Sequence, residues 1–522
     1  MTPRDTRHLP RLAVGGADSV RCMTVPDSGT DGTGTPERIG HRRALLTRPD
    51  PRTDADALPA ARRGLISGLG IAVQGAVRFV YSLLVGRTLP TGFLSATNSA
   101  ISTAMFATML WPVSLGAAAA KFVARESGDL TVRTALTRHL ARLSLLTSAA
   151  LGVGAGTVTY LLLAPGELTT AVFVALLTVG LSAYNFVRGV QYATGRILRA
   201  TVWDGLSFVV AVGGLVLVLV FDLRAWLLLP LTAGYAVYSV AGWPRTGGGP
   251  IGAELRGEIN RFVAWGVLGS LATGGFLQLT MVLAHQTGDA TGADAYAAAL
   301  TLATPASMLG SVLSLLLLPA LSAAVGRGDL AAVRGHTDLA HRALIIIVGG
   351  VFGALVVGAR LIVALVWPDL SSAVPVLEVL LAATFLYTAS IVVTESIRSY
   401  DERGAKVMAL TRTAGFVVGL TVALALVPAL SVLGIALGYL TGMTITGLVP
   451  VVLVWRRDGH RWAGLATRVL AGAVLTGALL TVRATEPGPG WLDVALTALF
   501  AVAWLGLHHR DARTVVRRAL RG

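Results

Sequence analysis

Long apolar segments follow one another along most of this chain, and they constrain its fold more than any other feature. Crossing a hydrocarbon core about 30 Å thick takes about 20 residues of helix, and the sequence offers fourteen apolar segments of that length. They begin near Leu65, Asn98, Leu143, Thr169, Thr201, Ala225, Phe262, Ala295, Ala343, Val374, Leu410, Leu433, Leu465 and Trp491. Charged residues make up only 14% of the 522 residues, compared with about 25% in soluble domains. The sequence therefore predicts an all-α, polytopic membrane protein with about fourteen transmembrane helices.

An internal repeat relates two parts of the apolar region. Gly92 and the Gly-Asp-Leu turn at 128–130 reappear as Gly292 and the same turn at 328–330. Repetition at a fixed period decides the architecture of a chain. Because six predicted spans separate the first helix from its copy, both units start on the same side of the membrane and are parallel. Parallel repeats are typical of transporters whose substrate path lies between two lobes.

These patterns divide the chain into five regions. We expect a disordered cytoplasmic tail over 1–62, which is rich in Arg, Pro, Gly, Thr and Asp and too poor in apolar residues to fold. A first lobe of six helices is expected over 63–243, a cytoplasmic linker over 244–260 and a second lobe of six helices over 261–457. Two further helices and a cytoplasmic C-terminal tail are expected over 458–522.

Positive charges alternate between the loops on the two sides of the membrane. Loops after the even-numbered spans, together with the C-terminal tail, hold most of the Lys and Arg, whereas the opposite loops hold Arg87, Arg224, Arg360 and Arg483. Cytoplasmic loops are enriched in these residues, so both termini are predicted to face the cytoplasm from the cytoplasmic membrane. The net charge of +15 forms no continuous basic face with interleaved aromatic residues, which argues against nucleic acid and favours anionic lipid headgroups.

Glycine and tryptophan positions add local predictions. Gly152, Gly154 and Gly156 lie inside the third span, where small residues allow helices to pack closely. Tryptophans near span ends are predicted to act as interface anchors: Trp226, Trp243, Trp367, Trp455 and Trp491.

The N-terminal region and the cysteine count exclude several classes. The first residues lack the apolar core of a secretory signal peptide, and Met23 offers an alternative start that leaves open whether 1–22 are translated. The single cysteine, Cys22, excludes a disulfide framework and a cysteine-based metal site. His508 and His509 are interpreted as part of a solvated tail, and no metal or cofactor is predicted.

A polar stripe runs along the first predicted span. Ser67, Gln74, Arg78 and Tyr81 recur at helical spacing and share one face. Arg78 lies in the middle of the span, where a charge costs about 2.5–3.5 kcal/mol and marks a functional site by default. The face should therefore meet water or protein and not lipid. The alternative is a structural ion pair or a snorkelling side chain.

Two other spans carry matching stripes. Gln278 is the repeat mate of Arg78, and Asn98, Ser102 and Met105 share a face of the second span. The residues assigned to the lining of a central cavity are Gln74, Arg78, Asn98 and Gln278. Interhelical hydrogen bonding is the alternative role for the three amides. Glu378, in the outer part of the tenth span, is predicted either to pair with a cation such as Arg360 or to take part in ion coupling.

Several motifs resemble those of polysaccharide flippases, the Wzx-type branch of the multidrug/oligosaccharidyl-lipid/polysaccharide (MOP) exporter superfamily. Val-Gly-Arg-Thr-Leu-Pro at 85–90, followed by Gly-Phe, is similar to the turn between the first two helices of that family. Gly-Ala-Asp-Ala-Tyr at 292–296, followed by Leu-Pro-Ala-Leu-Ser at 318–322, resembles the start of its second lobe. Leu-Val-Pro at 426–428, followed by Leu-Gly-Ile-Ala at 433–436, resembles its eleventh-to-twelfth-helix turn.

The resemblance covers roughly residues 60 to 457. It implies a MATE-like architecture of two six-helix lobes around a central cavity, with an added C-terminal helix pair as in the MurJ-type lipid II flippases. The first function it implies is export of an undecaprenyl-diphosphate-linked oligosaccharide or another precursor of lipopolysaccharide or exopolysaccharide, with lipid II as an alternative cargo. Polysaccharide polymerases or glycosyltransferases would be partners. A guanidinium suits this cargo because it binds phosphate oxygens in pairs.

The sequence lacks the features expected of two other classes of membrane protein, the antiporters and the enzymes. A drug or cation antiporter of the same superfamily needs an acidic residue within the helices of the first lobe. Residues 65–85 contain none, and Asp204 is placed near a cytoplasmic end, which weakens this interpretation. A membrane enzyme acting on a lipid-linked sugar needs sizeable outer loops, whereas loops such as 165–167 are short. The sequence therefore predicts a transporter and not an enzyme.

Overall fold

The computed structural model describes most of the chain after the N-terminal region. The described residues are 60–126, 128–244, 246–305, 330–400, 402–485 and 490–519. The tail predicted over 1–62 lies outside them except for its last three residues, which already belong to the first helix. The motif at 318–322 also lies outside them.

Every regular element in these ranges is helical, which confirms the predicted all-α class. The first half consists of α1 (Ala60–Thr88), α2 (Phe93–Met109), α3 (Pro112–Arg125), α4 (Leu130–Val158), α5 (Leu168–Ala193), α6 (Ile197–Val220) and α7 (Leu229–Gly242). The second half consists of α8 (Ala253–Ser270), α9 (Phe276–His285), α10 (290–305), α11 (Leu330–Val357), α12 (Ala359–Val366), α13 (Ala373–Ala389), α14 (Ile391–Tyr400), α15 (Glu402–Asp458), α16 (Ala463–Arg483) and α17 (Trp491–Ala519). Short π-helical turns follow α4 and join α8 to α9.

Among the described residues, eleven helices are long and apolar enough to cross a membrane, or twelve if the bent pair α2–α3 forms one span. That pair turns by 48°, and Pro112 begins the second helix, as proline favours. α15 is 57 residues long and joins two helices at Ser431, whose φ is 48°. Two of the predicted spans fall on α15, and another begins in α10, which is described only to residue 305. The predicted number of fourteen is therefore approximate.

Several helices begin earlier than predicted, at the Arg-rich ends. α4 begins at Leu130 instead of near Leu143, with the carboxylate of Asp129 accepting hydrogen bonds from two backbone N–H groups of its first turn. α8 begins at Ala253, so the second half of the predicted linker 244–260 is helical. A long run of apolar residues does not mark the first turns of α4 and α8, because these turns are amphipathic and lie outside the apolar part of each helix.

The helix ends define two faces of the bundle. We call the ends joined by the loops 89–92, 164–167 and 221–228 the outer face, following the charge pattern, and the opposite ends the inner face. On the inner side of the first half, Phe122 and Phe186 are buried in one cluster with Ile259 of α8. A larger cluster fills the second half around α9, α11, α13 and α15.

The last two helices pack on α11 and α12. Arg360 of α12 pairs with Asp493 of α17 at 3.0 Å, and Trp504 lies against the glycines of α11. His508 is fully buried against Trp504, with ring centroids 4.3 Å apart. The prediction of a solvated tail is therefore wrong for His508, because α17 continues past it as an amphipathic helix, whereas His509 is exposed.

The three glycines of α4 do not share one role. A methyl group at Gly152 or Gly156 would lie 3.0 Å from a backbone carbonyl oxygen of α5, at Ala175 or Ala171 respectively. The same group at Gly154 would meet nothing within 4 Å. The predicted packing role is therefore correct for two of the three.

A pair of substitutions tests this difference. Gly156→Leu should lower the free energy of unfolding by about 1–3 kcal/mol, since the side chain would force α4 and α5 apart. Gly154→Leu is the matched control on the same helix and should leave stability unchanged or slightly raised. Thermal denaturation of both purified variants in one detergent measures the difference. Equal melting temperatures would contradict the packing described for α4 and α5.

Candidate functional site

Arg78 lies midway along α1, where the two halves of the chain meet. Its Nη2 donates to Ser102 Oγ of α2 and to Gln278 Oε1 of α9, both at 3.0 Å. Its Nη1 donates to the Met105 sulfur at 3.0 Å. Ser102 and Gln278 are buried, whereas Arg78 is half-buried. At Arg78, the stripe predicted on the first span therefore meets the stripe of the second span and the seventh span.

Arg78 and Gln278 are equivalent positions of the internal repeat. They are 200 residues apart in the sequence and are hydrogen-bonded to each other. Two equivalent positions can touch only if both lie next to the axis that relates the repeats. Arg78 is thus placed at the centre of the molecule, between its halves.

Asn98 and Gln74 lie near Arg78 in sequence but have other partners. Asn98 is buried, accepts a hydrogen bond from Ser82 Oγ at 3.0 Å and donates to the Leu94 carbonyl at 3.0 Å. Its amide thus joins α1 to α2. Gln74 donates to Asp204 Oδ1 of α6 at 3.0 Å. Of the four predicted cavity residues, the structure brings together only Arg78 and Gln278.

Asp204 forms the centre of a polar cluster inside the first half. Its carboxylate is fully buried, accepts from Gln74 and from the Tyr184 hydroxyl at 2.9 Å, and lies 3.5 Å from Arg188 Nη2. Gly70 permits the close approach of α1, since a methyl group there would lie 2.9 Å from the carboxylate. The first half therefore does hold a buried acidic residue in contact with its first helix, and this residue lies towards the inner end of α6, as expected from the sequence.

Glu378 pairs with Arg483 of α16 and not with Arg360. Arg483 also donates to the Val357 carbonyl at 3.1 Å. Arg360 is engaged with Asp493 instead. The predicted pairing of Glu378 with a cation is thus correct and the suggested partner is wrong, because sequence distance does not indicate which helix ends meet.

A contact between the halves at the outer face was not predicted. Gly92 caps the N-terminus of α2 with a backbone φ of 96° and has no capping side chain of its own. Asp294 of α10 reaches across and accepts from the Gly92 N–H at 2.6 Å and the Ser95 N–H at 2.7 Å. A carboxylate is favourable there because helix N-termini carry unpaired donors and partial positive charge.

A second outer contact uses the opposite helix end. Arg87 of α1 donates to the carbonyls of Val366 at 2.8 Å and Leu365 at 2.7 Å, which end α12. Trp367 is buried against Gly86, where a methyl group would lie 2.6 Å from the indole nitrogen. Trp367 is therefore a contact between the halves and not the interface anchor predicted for it. We call Gly86, Arg87, Gly92, Asp294 and Trp367 the outer latch.

The halves also touch at the inner face. Arg125 of α3 donates to both carboxylate oxygens of Glu258 of α8, at 2.8 and 2.9 Å. Phe122 and Phe262 pack edge to face with centroids 5.6 Å apart. Both charged side chains are substantially exposed, so water screens this pair more than the buried Asp294 contact. Within the described residues, no three His, Cys, Asp or Glu side chains converge to hold a metal ion.

Comparison with known proteins identifies the fold. No family model and no curated protein matches the chain. Among solved structures it is similar to an inward-facing multidrug resistance MATE family transporter of the MOP superfamily, with 15% identity, a TM-score of 0.60 and coverage of 74% of this chain and 94% of the other. An outward-facing MATE family transporter matches with 15% identity, a TM-score of 0.56 and coverage of 76% and 94%.

A third structure is described as a MOP superfamily transporter from Pyrococcus furiosus in which a reverse polarity of the binding pocket suggests a different function. It matches with 16% identity, a TM-score of 0.51 and coverage of 76% of this chain and 94% of the other. The chain therefore has a MATE-like transporter fold. The flippase branch that the motifs resemble stays a prediction from the sequence.

The Arg188–Asp204 pair generates one prediction. Arg188→Met leaves a buried carboxylate without its countercharge and should lower the free energy of unfolding by about 3–5 kcal/mol. Adding Asp204→Asn should restore most of the loss, since the remaining groups are neutral. Arg199→Met, at an exposed arginine of α6, the helix that carries Asp204, is the control. Thermal denaturation of these variants and of Asp204→Asn alone measures the coupling, and additive losses in the double variant would contradict the pairing.

The outer latch generates another prediction. Asp294→Ala removes a helix cap, which costs about 1 kcal/mol, and should shift the equilibrium between closed and open outer faces roughly fivefold towards open. Spin labels at Thr91→Cys and Asp369→Cys, in a Cys22→Ser background, report the separation of the halves by electron–electron double resonance. Asp289→Ala, at a neighbouring carboxylate within the second half, is the control. A distance distribution unchanged by Asp294→Ala would show that this contact does not hold the outer face closed.

Proposed function

We propose that this chain is a membrane exporter that carries the diphosphate headgroup of a lipid-linked glycan across the cytoplasmic membrane by alternating access. The observation that supports it most is the environment of Arg78. In the described residues, the acceptors within hydrogen-bonding distance of its guanidinium are all neutral: a hydroxyl, an amide oxygen and a thioether.

Three other arginines that lie largely inside the helix bundle differ from Arg78 in the charge of their partners. Arg188, Arg360 and Arg483 each meet a carboxylate. Their positive charges are therefore neutralised by the protein itself, whereas the charge of Arg78 is only solvated by dipoles. Holding an uncompensated charge at this depth is costly, and an anionic ligand would lower that cost. A diphosphate also offers the paired oxygens that a planar guanidinium binds best.

The contacts between the halves suit alternating access. Asp294, Arg87 and Trp367 close the outer face, while Arg125 and Glu258 join the halves at the inner face along α3 and α8. Arg78 lies between these two levels and touches both halves. Release of cargo to the outside requires the outer latch to separate, and the Arg78–Gln278 contact is the one that a bound headgroup would replace.

The proposal places the protein in the cytoplasmic membrane, with both termini inside and anionic lipid headgroups against its Arg-rich loops. The cargo class is an undecaprenyl-diphosphate-linked oligosaccharide, with lipid II as the alternative within this class. Enzymes that build or polymerise the glycan would be its functional partners. These points depend on the sequence motifs and on the charge of Arg78.

A cation-coupled drug antiporter is the second candidate. The observation in its favour is the buried carboxylate of Asp204, hydrogen-bonded to Gln74 of α1. Against it, Arg188 already lies 3.5 Å from that carboxylate and supplies a positive charge. An antiporter would require Asp204 to exchange cations, so Asp204→Asn would abolish drug efflux. A glycan exporter that uses Asp204 only as a structural partner would keep its transport when Asp204→Asn is combined with Arg188→Met, which leaves no buried charge unpaired, whereas an antiporter would lose efflux in that double variant too.

Arg78 provides the direct test of the glycan proposal. Arg78→Ala should reduce translocation of a lipid-linked oligosaccharide in proteoliposomes by at least tenfold, because the diphosphate loses its charged partner. Arg78→Lys should restore part of the activity, since an ammonium keeps the charge but lacks the paired donors. The control is Arg142→Ala, at an exposed arginine of α4. Wild-type rates in folded Arg78→Ala protein would remove Arg78 from the transport path.

A further inference from the structure

A cavity lies at the outer face, away from Arg78. Its volume is about 950 Å³, near the upper end of the range of roughly 300–1,000 Å³ that is usual for small-molecule sites. Its walls come from the N-terminal half of α2, the loop between α4 and α5, the first turns of α5 and the loop between α6 and α7, together with His285 of α9. The functional site around Arg78 does not contribute to these walls.

Hydroxyl groups are concentrated in the walls of this outer cavity. Thr97, Ser99, Thr159, Thr169 and Thr170 all line it. Ser99 is 1% exposed, and its hydroxyl has no hydrogen-bond partner. A buried hydroxyl without a partner is costly unless a ligand or water satisfies it. The Ser99 hydroxyl, which has almost no accessible surface, thus lacks a partner among the described residues at the cavity wall.

Aromatic and charged side chains complete the lining. Phe93 and Phe173 contribute ring surfaces, and Arg224 lies over the Phe93 ring at 5.7 Å. Glu167 accepts a hydrogen bond from Thr170 at 3.0 Å. Serine and threonine hydroxyls both donate and accept, as the hydroxyls of a sugar do. An acyl chain would form no hydrogen bonds with these groups.

We propose that the outer cavity is a carbohydrate-binding site that holds the glycan part of the cargo on the exit side. This inference rests on the proposed function for the class of cargo, but it concerns a separate site. Its position supports a role in release, since Thr91, Gly92 and Phe93 line the cavity and Gly92 is held by Asp294 of the outer latch. A glycan bound there contacts the segment that must move when the outer face opens.

The test measures whether a soluble glycan protects the cavity from chemical labelling. Full-length protein in lipid nanodiscs carries Cys22→Ser and a reporter, Thr169→Cys, and a polar maleimide labels the reporter. The probe is the water-soluble oligosaccharide released by mild acid from the lipid-linked pool of the source cells. We expect it to slow labelling at least fivefold at saturation. Ser99→Ala combined with Thr97→Val should reduce the protection to less than twofold, whereas Thr157→Val, on an exposed part of α4 outside the cavity, should keep it.

Each outcome is decisive for the site. Protection that persists in Arg78→Ala and disappears in the Ser99 and Thr97 variant supports a separate carbohydrate site. If the double variant misfolds, Thr170→Val replaces it and should weaken the protection. No protection in protein that still transports the lipid-linked oligosaccharide overturns this inference and leaves the proposed function intact. Protection by oleic acid but not by the oligosaccharide assigns the cavity to a lipid chain, and protection lost in Arg78→Ala assigns the binding to the central site.

Discussion

The contact between the two halves at Arg78 depends on one constraint: a positive charge inside a membrane must be solvated by neutral hydrogen-bond acceptors. Arg78 needs acceptors from more than one helix, and α2 and α9 supply them from the two halves of the chain. One of the acceptors, Gln278, is the equivalent residue of the second repeat. Contact between equivalent residues requires the repeat axis to pass beside them, so the charge lies at the junction of the two halves.

The motif that suggested a family at 85–93 has a mechanical explanation. Gly86 gives Trp367 room to approach, Arg87 binds the carbonyl end of α12, and Gly92 leaves the start of α2 uncapped so that Asp294 can cap it. Both charged contacts follow the sign of the helix-end partial charges. The resemblance to flippases thus concentrates on residues that join the halves at one face, and these residues do not themselves define the cargo.

The sequence was sufficient for the fold class and the polar stripe on α1, because both depend on periodicity within the chain. It also identified Gln278 as the repeat mate of Arg78, but it did not predict the hydrogen bond between them. The remaining features depend on distant partners. The hydrogen bonds of Asp204 with Gln74, of Asp294 with Ser95 and of Glu378 with Arg483 each join residues more than 100 positions apart. The sequence did not predict the burial of His508, because a charged, amphipathic helix end has the composition of a solvated tail. Its burial depends on the packing of α17 against α11, which is distant in the sequence.

Ion pairs fasten the last two helices to the second half of the molecule. Asp493 of α17 holds Arg360, and Arg483 of α16 holds Glu378, so each added helix has its own buried connection to that half. Because each of these helices has an ion pair to the second half, we expect both helices to form one rigid body with that half. A fluorescent protein attached behind α17 would consequently report the position of the second half, and its energy transfer to a dye on the first half would record the distance between the two halves.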